Sequence, residues 1–180
     1  MNPQQVRLRE ELRRLQALAA AHPQAITIVK WDDDPPTWYS IDLHCRGGAS
    51  FDEDKNVVTT KKTHRVQIDM GSKYPVHRPA VHVESPFFNP HIFPSGAVCL
   101  GGAWSKSETL DIFVQRLWGL LVWDPNVIDE GSPADSDAML WYRQHKDEVP
   151  FDRIDLTQPP SPAPAPEPTE EKRKGIIWRE

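Results

Sequence analysis

The sequence predicts an α+β domain in which the helices and the strands form separate groups along the chain. A helical pattern comes first, four strand-like segments follow it, and two further helical patterns come after the strands. Because strands without intervening helices pair most readily with their neighbours, we expect a four-stranded antiparallel meander. The 180 residues suffice for one ordinary domain and are too few for two comfortable ones.

Residues 3–21 are predicted to form the N-terminal helix. Apolar side chains recur there at steps of four, three and four, which places them on one face: Leu8, Leu12, Leu15 and Ala19. Four arginines give the helix a basic exposed side: Arg7, Arg9, Arg13 and Arg14. Such a side is either a solvated helix surface or a docking surface. Glu10 can pair with Arg14 one turn on, and Pro23 ends the helix.

Four strands are predicted at residues 26–31, 37–45, 64–70 and 80–84. Apolar and polar residues alternate in three of them, which predicts these inward-facing side chains: Tyr39, Ile41, Leu43, Cys45, Val66, Ile68, Met70, Val81 and Val83. On this pattern Cys45 is a small buried hydrophobe. Residues 32–36 and the Gly47-Gly48 pair are interpreted as turns between strands.

Two helices are predicted after the strands. The first runs from about residue 109 to residue 123 on a wide apolar stripe: Leu110, Phe113, Val114, Leu117, Leu120 and Leu121. For the second, Ser132 is the expected N-cap, Pro133 suits the first turn, and Asp135 follows three residues after the cap. This helix is expected to end before Pro150.

Composition excludes several classes of protein. A net charge of −5 argues against a nucleic-acid-binding surface, and no apolar run approaches the ~18–20 residues of a membrane span. No secretory signal is visible, and two distant cysteines do not make a disulfide scaffold, so we expect a cytoplasmic protein with reduced thiols. The seven histidines are scattered without Cys-x-x-Cys or His-x-x-x-His spacing, so no metal site is expected.

The C-terminal part has a different composition. Six prolines occur in residues 159–168, and a charged polar stretch follows them. Such a segment cannot bury enough apolar surface to offset the entropy lost on ordering. We therefore expect a folded domain over residues 1–155 and a proline-rich flexible tail over residues 156–180. Ile176, Ile177 and Trp178 near its end are either a docking peptide or a loose terminus.

The most informative segment is residues 74–104. Tyr74-Pro75 is followed by Asn89-Pro90-His91, then by Gly96-Ala97-Val98-Cys99-Leu100, and last by Trp104-Ser105. The tyrosine lies fifteen residues before Asn89, and Cys99 lies eight residues after His91. Glycines on both sides of Cys99 leave little bulk around the sulfur, so a large partner can approach it closely.

This layout resembles the active-site segment of the ubiquitin-conjugating enzymes. That family has a Tyr-Pro step, a His-Pro-Asn tripeptide, a Gly-x-x-Cys-Leu nucleophile and a Trp-Ser pair in the same order. The resemblance implies the ubiquitin-conjugating-enzyme fold over residues 3–153. This chain departs from the pattern at the tripeptide, where Asn89 stands in place of the histidine and His91 in place of the asparagine.

The resemblance implies a transferase in which Cys99 carries a ubiquitin-like modifier as a thioester and passes it to an amine, usually a lysine. His91 is then either a hydrogen-bond donor to the oxyanion or a brace of the turn. Asp129 matches an acidic position that can orient the incoming ammonium, or it is an exposed loop acid. No cofactor is expected, since ATP is used by the activating enzyme.

The resemblance also implies partners: a modifier, an activating enzyme, a protein substrate and a ligase. The activating enzyme contacts the first helix in the family, which makes Arg7, Arg9, Arg13 and Arg14 its candidate contacts. Ligase-docking positions hold Val76 and Lys106, and the lysine is atypical there. These departures indicate a divergent member, similar to bacterial stand-alone relatives, some of which act in defence against phage.

Two other functions are compatible with the sequence. An inert conjugating-enzyme variant would bind a ubiquitin-like protein without forming a thioester, and the altered tripeptide is the feature in its favour. A cysteine hydrolase would pair Cys99 with His82 or His91, but no third orienting group and no protease signature accompany them. The sequence does not identify the modifier, the target, the need for a ligase, the oligomeric state or the source.

Overall fold

The computed structural model of the chain describes residues 2–85, 87–102, 104–149, 152 and 154–157. The elements in chain order are α1 Pro3–Ala21, β1 Ile26–Trp31, β2 Trp38–Leu43, β3 Gly47–Asp52, β4 Val57–Lys61, β5 His64–Asp69, β6 Ala80–Val83, α2 Leu110–Leu121, α3 Ser136–Gln144 and a short 3-10 helix at Lys146–Glu148. None of the described helices is long and apolar enough to span a bilayer. The predicted tail lies outside the described residues from residue 158 onward.

Four strands form one antiparallel sheet in the order β1-β2-β5-β6. The predicted α+β class and the four sheet strands are therefore confirmed, with ends that differ by one or two residues. In the central pair, Tyr39 lies opposite Ile68 and Ile41 lies opposite Val66. The inward side chains of both strands are buried, as the alternation predicted, because a period of two places them on one face.

A hairpin of β3 and β4 interrupts the meander between β2 and β5, and the expectation that Gly47 and Gly48 form a turn is wrong. Both glycines belong to β3. A Cβ atom on Gly47 would lie 2.7 Å from the Phe87 ring, and one on Gly48 would lie 2.4 Å from the Phe88 carbonyl oxygen. Glycine is thus required here for close packing. The hairpin is anchored by Phe51, whose ring stacks on Phe88 at 4.8 Å.

Helix α2 buries the predicted apolar stripe against the sheet, whereas the predicted start of α3 is wrong. Asp135, and not Ser132, is the N-cap, and its Oδ1 accepts from the backbone N–H groups of Asp137 and Ala138. A helix that starts at Ser132 is excluded because the backbone of Asp135 is extended, with a φ of −128° and a ψ of 110°. The Ala134 and Asp135 N–H groups both donate to the Pro90 carbonyl, at 2.7 and 3.1 Å. The start of α3 is therefore attached to the segment that precedes Cys99.

A buried carboxylate joins α1 to the rest of the domain. Glu11 lies on the buried stripe of α1 between Leu8 and Leu15, and it is fully buried. Its Oε1 accepts from the Tyr74 hydroxyl at 2.5 Å, and its Oε2 accepts from the Leu110 N–H at 2.6 Å. Arg7 forms an ion pair with the same group. Because Leu110 begins α2, the carboxylate also faces the positive end of that helix dipole.

We predict that Glu11→Ala destabilises the domain by about 3–5 kcal/mol, because it leaves the Arg7 charge and two buried donors without their partner. The free energy of unfolding in urea measures this loss. Glu10→Ala is the matched control, since Glu10 pairs with Arg13 and Arg14 on the exposed side. Equal and small losses for the two variants would contradict the central role of Glu11.

Candidate active site

The segment that carries Cys99 lies along the edge strand β6. The Val83 N–H donates to the Gly96 carbonyl at 2.9 Å, and the Val98 N–H donates to the Val81 carbonyl at 3.0 Å. The Cys99 N–H donates to the His91 carbonyl at 2.8 Å, so the backbone is held on two sides. The sheet therefore fixes the backbone up to Cys99, while its side chain is only half-buried.

The two cysteines differ in environment as the sequence predicted. Cys45 is buried in the core next to β2. Burial raises the pKa of its thiol far above the ordinary range, and the charge of Asp152 raises it further. Because the thiolate is the nucleophilic form of cysteine, this environment makes Cys45 inert. Of the two thiols, only that of Cys99 is partly exposed.

Glycine is required at position 96 for two reasons. Its backbone has a φ of 88°, in the left-handed region that favours glycine. A Cβ atom there would lie 2.5 Å from the Val83 carbonyl oxygen and 2.7 Å from His82 Cε1. The close approach of this residue to β6 is what allows the segment to pair with the strand.

Asn89 and Pro90 connect the segment to two helices. Asn89 is fully buried, and its side-chain nitrogen donates to the Leu120 carbonyl of α2 at 2.9 Å. Its side-chain oxygen accepts from the His91 N–H at 2.9 Å. Because Pro90 accepts from the start of α3, the tripeptide is a junction between the helices and the Cys99 segment.

His91 links Cys99 to the loop that carries Asp129. Its carbonyl accepts from Cys99, and its Nε2 accepts from the Asp129 N–H at 2.9 Å. An amide N–H can only donate, so Nε2 bears the lone pair and the neutral ring carries its proton on Nδ1. The side chain is 1% exposed, and this burial lowers the pKa of the ring, against an opposing effect of the Asp129 charge.

Asp129 comes alongside the glycines that follow Cys99. Its Cβ lies 4.0 Å from the position of a Cβ on Gly101. The side chain is exposed, and its Oδ1 accepts from the Gly131 N–H at 2.9 Å. Glu130 is directed elsewhere, since it pairs with Arg143 and Lys146. The structure thus brings the Cys99 segment, His91 and Asp129 together.

The two predicted ligase-docking residues lie on neighbouring loops. The Trp104 indole N–H donates to the Pro75 carbonyl at 2.8 Å, which joins the loop of Val76 to the loop of Lys106. The Trp104 ring also packs against Tyr74 and Phe113. Val76 is 70% exposed and Lys106 is exposed.

The arginines of α1 do not share one environment. Arg9, Arg13 and Arg14 lie at the surface, where they pair with Asp34 or Glu10. The expectation that Arg7 belongs to the exposed basic side is wrong, because its side chain turns toward the buried Glu11 and is only 25% exposed. A charged residue within the apolar stripe was the available signal, since a buried carboxylate requires a cation nearby.

Sequence reasoning also missed Arg116, which contacts the backbone after Cys99, and its partner Glu108. Arg116 of α2 donates from Nη2 to the carbonyls of Leu100 and Gly101, and its Nη1 pairs with Glu108. No motif marks this pair, and an arginine in an apolar helix was the only hint. Among the described residues, no group of three His, Cys, Asp or Glu side chains could hold a metal ion.

With this geometry in place, comparison with known proteins identifies the family. Residues 50–153 match the sequence model of the family described as Ubiquitin-conjugating enzyme, which is more than half of the chain. The chain therefore belongs to the ubiquitin-conjugating enzyme family, a family of transferases. The resemblance drawn from the Cys99 segment is confirmed, and so is the expected fold.

Two similar proteins carry the same family name. The chain is 26% identical over 145 residues to Ubiquitin-conjugating enzyme E2 2 of Yarrowia lipolytica, which covers 79% of this chain and 85% of that protein. It is 25% identical over 149 residues to Ubiquitin-conjugating enzyme E2 2 of Debaryomyces hansenii, which covers 81% of this chain and 79% of that protein. These identities mark a divergent member.

We predict that Gly96→Ala destabilises the domain more than Gly71→Ala does. Both glycines have a positive φ, which costs an alanine roughly 1–2 kcal/mol, but nothing lies within 4 Å of a Cβ on Gly71. The clash with Val83 adds about 1–3 kcal/mol at position 96. Urea unfolding of the two variants measures the difference. Equal losses of unfolding free energy in the two variants would show that the Cys99 segment can move away from β6 without further destabilisation.

Proposed function

We propose that the chain carries a ubiquitin-like modifier as a thioester on Cys99 and transfers it to an amine of a target protein. The observation that supports this most is the placement of Cys99: a reachable thiol in a glycine-bordered loop, with its backbone fixed on a sheet edge. A nucleophile so placed can meet two large partners in turn, because neither has to enter a cavity.

In the first step, the Cys99 thiolate attacks the carbonyl of the modifier's C-terminal residue, which the activating enzyme holds as a thioester. A new C–S bond forms, the old C–S bond breaks, and the activating enzyme's thiolate leaves. In the second step, a lysine amine attacks the same carbonyl through an oxyanion. The amide forms, the Cys99 thiolate leaves, and the nitrogen loses its proton. ATP is consumed by the activating enzyme and not by this chain.

The test is thioester formation with ubiquitin as the probe modifier, its activating enzyme and ATP. The expected product is an adduct that reducing agents cleave. Cys99→Ser should give an adduct that resists them, because an oxyester does not exchange with thiols, whereas Cys45→Ala should load like the parent. Binding of ubiquitin without any adduct would favour an inert variant, and an adduct that persists in Cys99→Ala would place the nucleophile elsewhere.

For His91 and Asp129 we propose a joint role in the second step. His91 holds the Asp129 backbone beside Gly101, and the Asp129 carboxylate orients the incoming ammonium and accepts its proton. The hydrogen bond from the Asp129 N–H favours a bracing role for His91 over a role as oxyanion donor. This bond occupies Nε2, and the other ring nitrogen, Nδ1, is buried.

We predict that His91→Ala slows discharge to lysine roughly 10- to 100-fold and slows loading much less. His91→Ala and Asp129→Ala should not be additive, because the histidine acts through the aspartate. His91→Asn should keep much of the activity, since its side-chain oxygen can accept from Asp129. Single-turnover discharge of preloaded variants measures each rate. The bracing role of His91 would be contradicted if the effects of His91→Ala and Asp129→Ala on the discharge rate were fully additive. It would also be contradicted if a folded His91→Ala discharged at the parental rate.

The parent and His91→Asn also test the pH dependence of the discharge rate. Burial lowers the pKa of His91 below its ordinary value of 6.5. The ring therefore stays neutral at pH 6.5, and its contribution is lost only as the pH falls through the lowered pKa. Protonated Nε2 becomes a donor facing the Asp129 N–H, so discharge by the parent should fall there. His91→Asn should lack this step.

We propose that the surface arginines of α1, Arg9, Arg13 and Arg14, contact the activating enzyme. Arg13→Glu should slow loading, more so at low salt, and leave discharge of preloaded protein unchanged, because exposed charges mainly affect association. Lys55→Glu is the control, since Lys55 belongs to an exposed pair of the same spacing in the β3–β4 turn. Equal loading rates would show that the arginines are only a solvated surface.

A further inference from the structure

The backbone that follows Cys99 is held by one side chain of α2. Arg116 Nη2 donates to the Leu100 carbonyl at 3.0 Å and to the Gly101 carbonyl at 3.3 Å. Arg116 Nη1 donates to both carboxylate oxygens of Glu108, at 2.7 and 2.9 Å. One planar guanidinium therefore spans a carboxylate and two carbonyls, which the single ammonium of a lysine cannot reproduce.

The loop is anchored on one side by Leu100, which is buried in the core, and on the other by Trp104, whose indole N–H donates to the Pro75 carbonyl. Arg116 holds the described backbone between them. Gly101 and Gly102 both have positive φ, at 47° and 67°, and neither has a side chain that could pack against the domain. The hydrogen bonds to β6 end at Val98, and the Cys99 N–H is the last backbone donor before the glycines that bonds to the tripeptide. Glycine loops lose much conformational entropy when they are ordered, so a cross-link from a rigid helix has a large effect here.

Glu108 connects the same arginine to α1. Its backbone carbonyl accepts from Arg7 Nη2 at 2.7 Å, and Arg7 forms the ion pair with the buried Glu11. The side chains of Glu108 and Arg116 are 12% and 33% exposed, so the pair is shielded in part from solvent. A continuous series of charged contacts thus runs from the interior of the domain to the residue next to Cys99.

We propose that Arg116 is a positioning residue for Cys99: it holds the Leu100–Gly101 backbone in the geometry required for thioester chemistry, and Glu108 holds the arginine. This inference rests on the proposed function of Cys99. Arg116 acts through the backbone that it holds, and not by contact with the modifier or the thiol. The thiolate must meet the carbonyl carbon within about 3–3.5 Å, and small misplacements of a reacting group typically cost up to about 100-fold in rate.

The experiment compares Arg116→Gln, Arg116→Lys and Glu108→Gln with the parent in the full chain. Arg65→Gln is the control, because Arg65 forms a similar ion pair with Asp42 on the exposed face of the sheet. Loading is measured against increasing concentrations of activating enzyme charged with ubiquitin. We expect Arg116→Gln to lower kcat about 10- to 100-fold at an unchanged KM, and Arg116→Lys and Glu108→Gln to lie between it and the parent. Arg65→Gln should match the parent.

A second readout does not depend on the modifier. Hydrogen exchange of the amides of residues 99–102 should be several-fold faster in Arg116→Gln than in the parent, while exchange in β2 and β5 stays the same. The less severe variants, Arg116→Lys and Glu108→Gln, provide the same comparison if Arg116→Gln does not fold.

The outcomes separate this inference from the proposed function. A parental kcat in a folded Arg116→Gln overturns the inference, and so does a raised KM at a parental kcat, which would make Arg116 a docking contact. If the parent forms no thioester with ubiquitin, the proposed function fails for that modifier. Hydrogen exchange alone then tests the positioning role of Arg116. Faster exchange at residues 99–102 then supports the positioning role, and unchanged exchange overturns it.

Discussion

The buried carboxylate of Glu11 is the interaction on which the arrangement of this domain depends. A carboxylate without water around it is costly, and this one is stabilised by partners from three places in the chain: Arg7, Tyr74 and the Leu110 N–H. Each partner is fixed in turn. The carboxylate thereby links α1 to the Tyr74-Pro75 loop and to the first residue of α2.

Two sets of contacts link the position of the Cys99 segment to these anchors. On one side, Trp104 packs against Tyr74 and donates to the Pro75 carbonyl, so the loop after Cys99 is joined to the anchored tyrosine. On the other side, α2 holds Asn89 through the Leu120 carbonyl. The sheet edge supplies the backbone pairs at Gly96 and Val98. A half-buried thiol is thus presented by a loop that is short of side chains yet attached to rigid elements.

Sequence reasoning succeeded where a single pattern determines a single outcome. The alternation through Tyr39 and Ile41 predicted the sheet, and the spacing around Cys99 predicted the family. It failed where contacts between residues distant in sequence determine the local structure. The local sequence around Glu11 indicates only a polar helix residue, because its partners Tyr74 and Leu110 are distant in sequence. The Gly47-Gly48 pair indicates a turn, because the sequence does not show that Phe87 and Phe88 pack against it. Asp135 is the N-cap of α3, and the N–H groups of Ala134 and Asp135 donate to the Pro90 carbonyl. No local sequence pattern encodes this contact with Pro90.

One buried carboxylate fixes both the helices and the backbone around Cys99. The decisive measurement of this dependence is hydrogen exchange in Glu11→Gln, because this variant removes the charge and keeps the size of the side chain. We expect faster exchange than in the parent at residues 72–76, at residues 108–112 and in the loop at residues 99–102, with exchange in β1 and β2 unchanged. Faster exchange confined to α1 would contradict it.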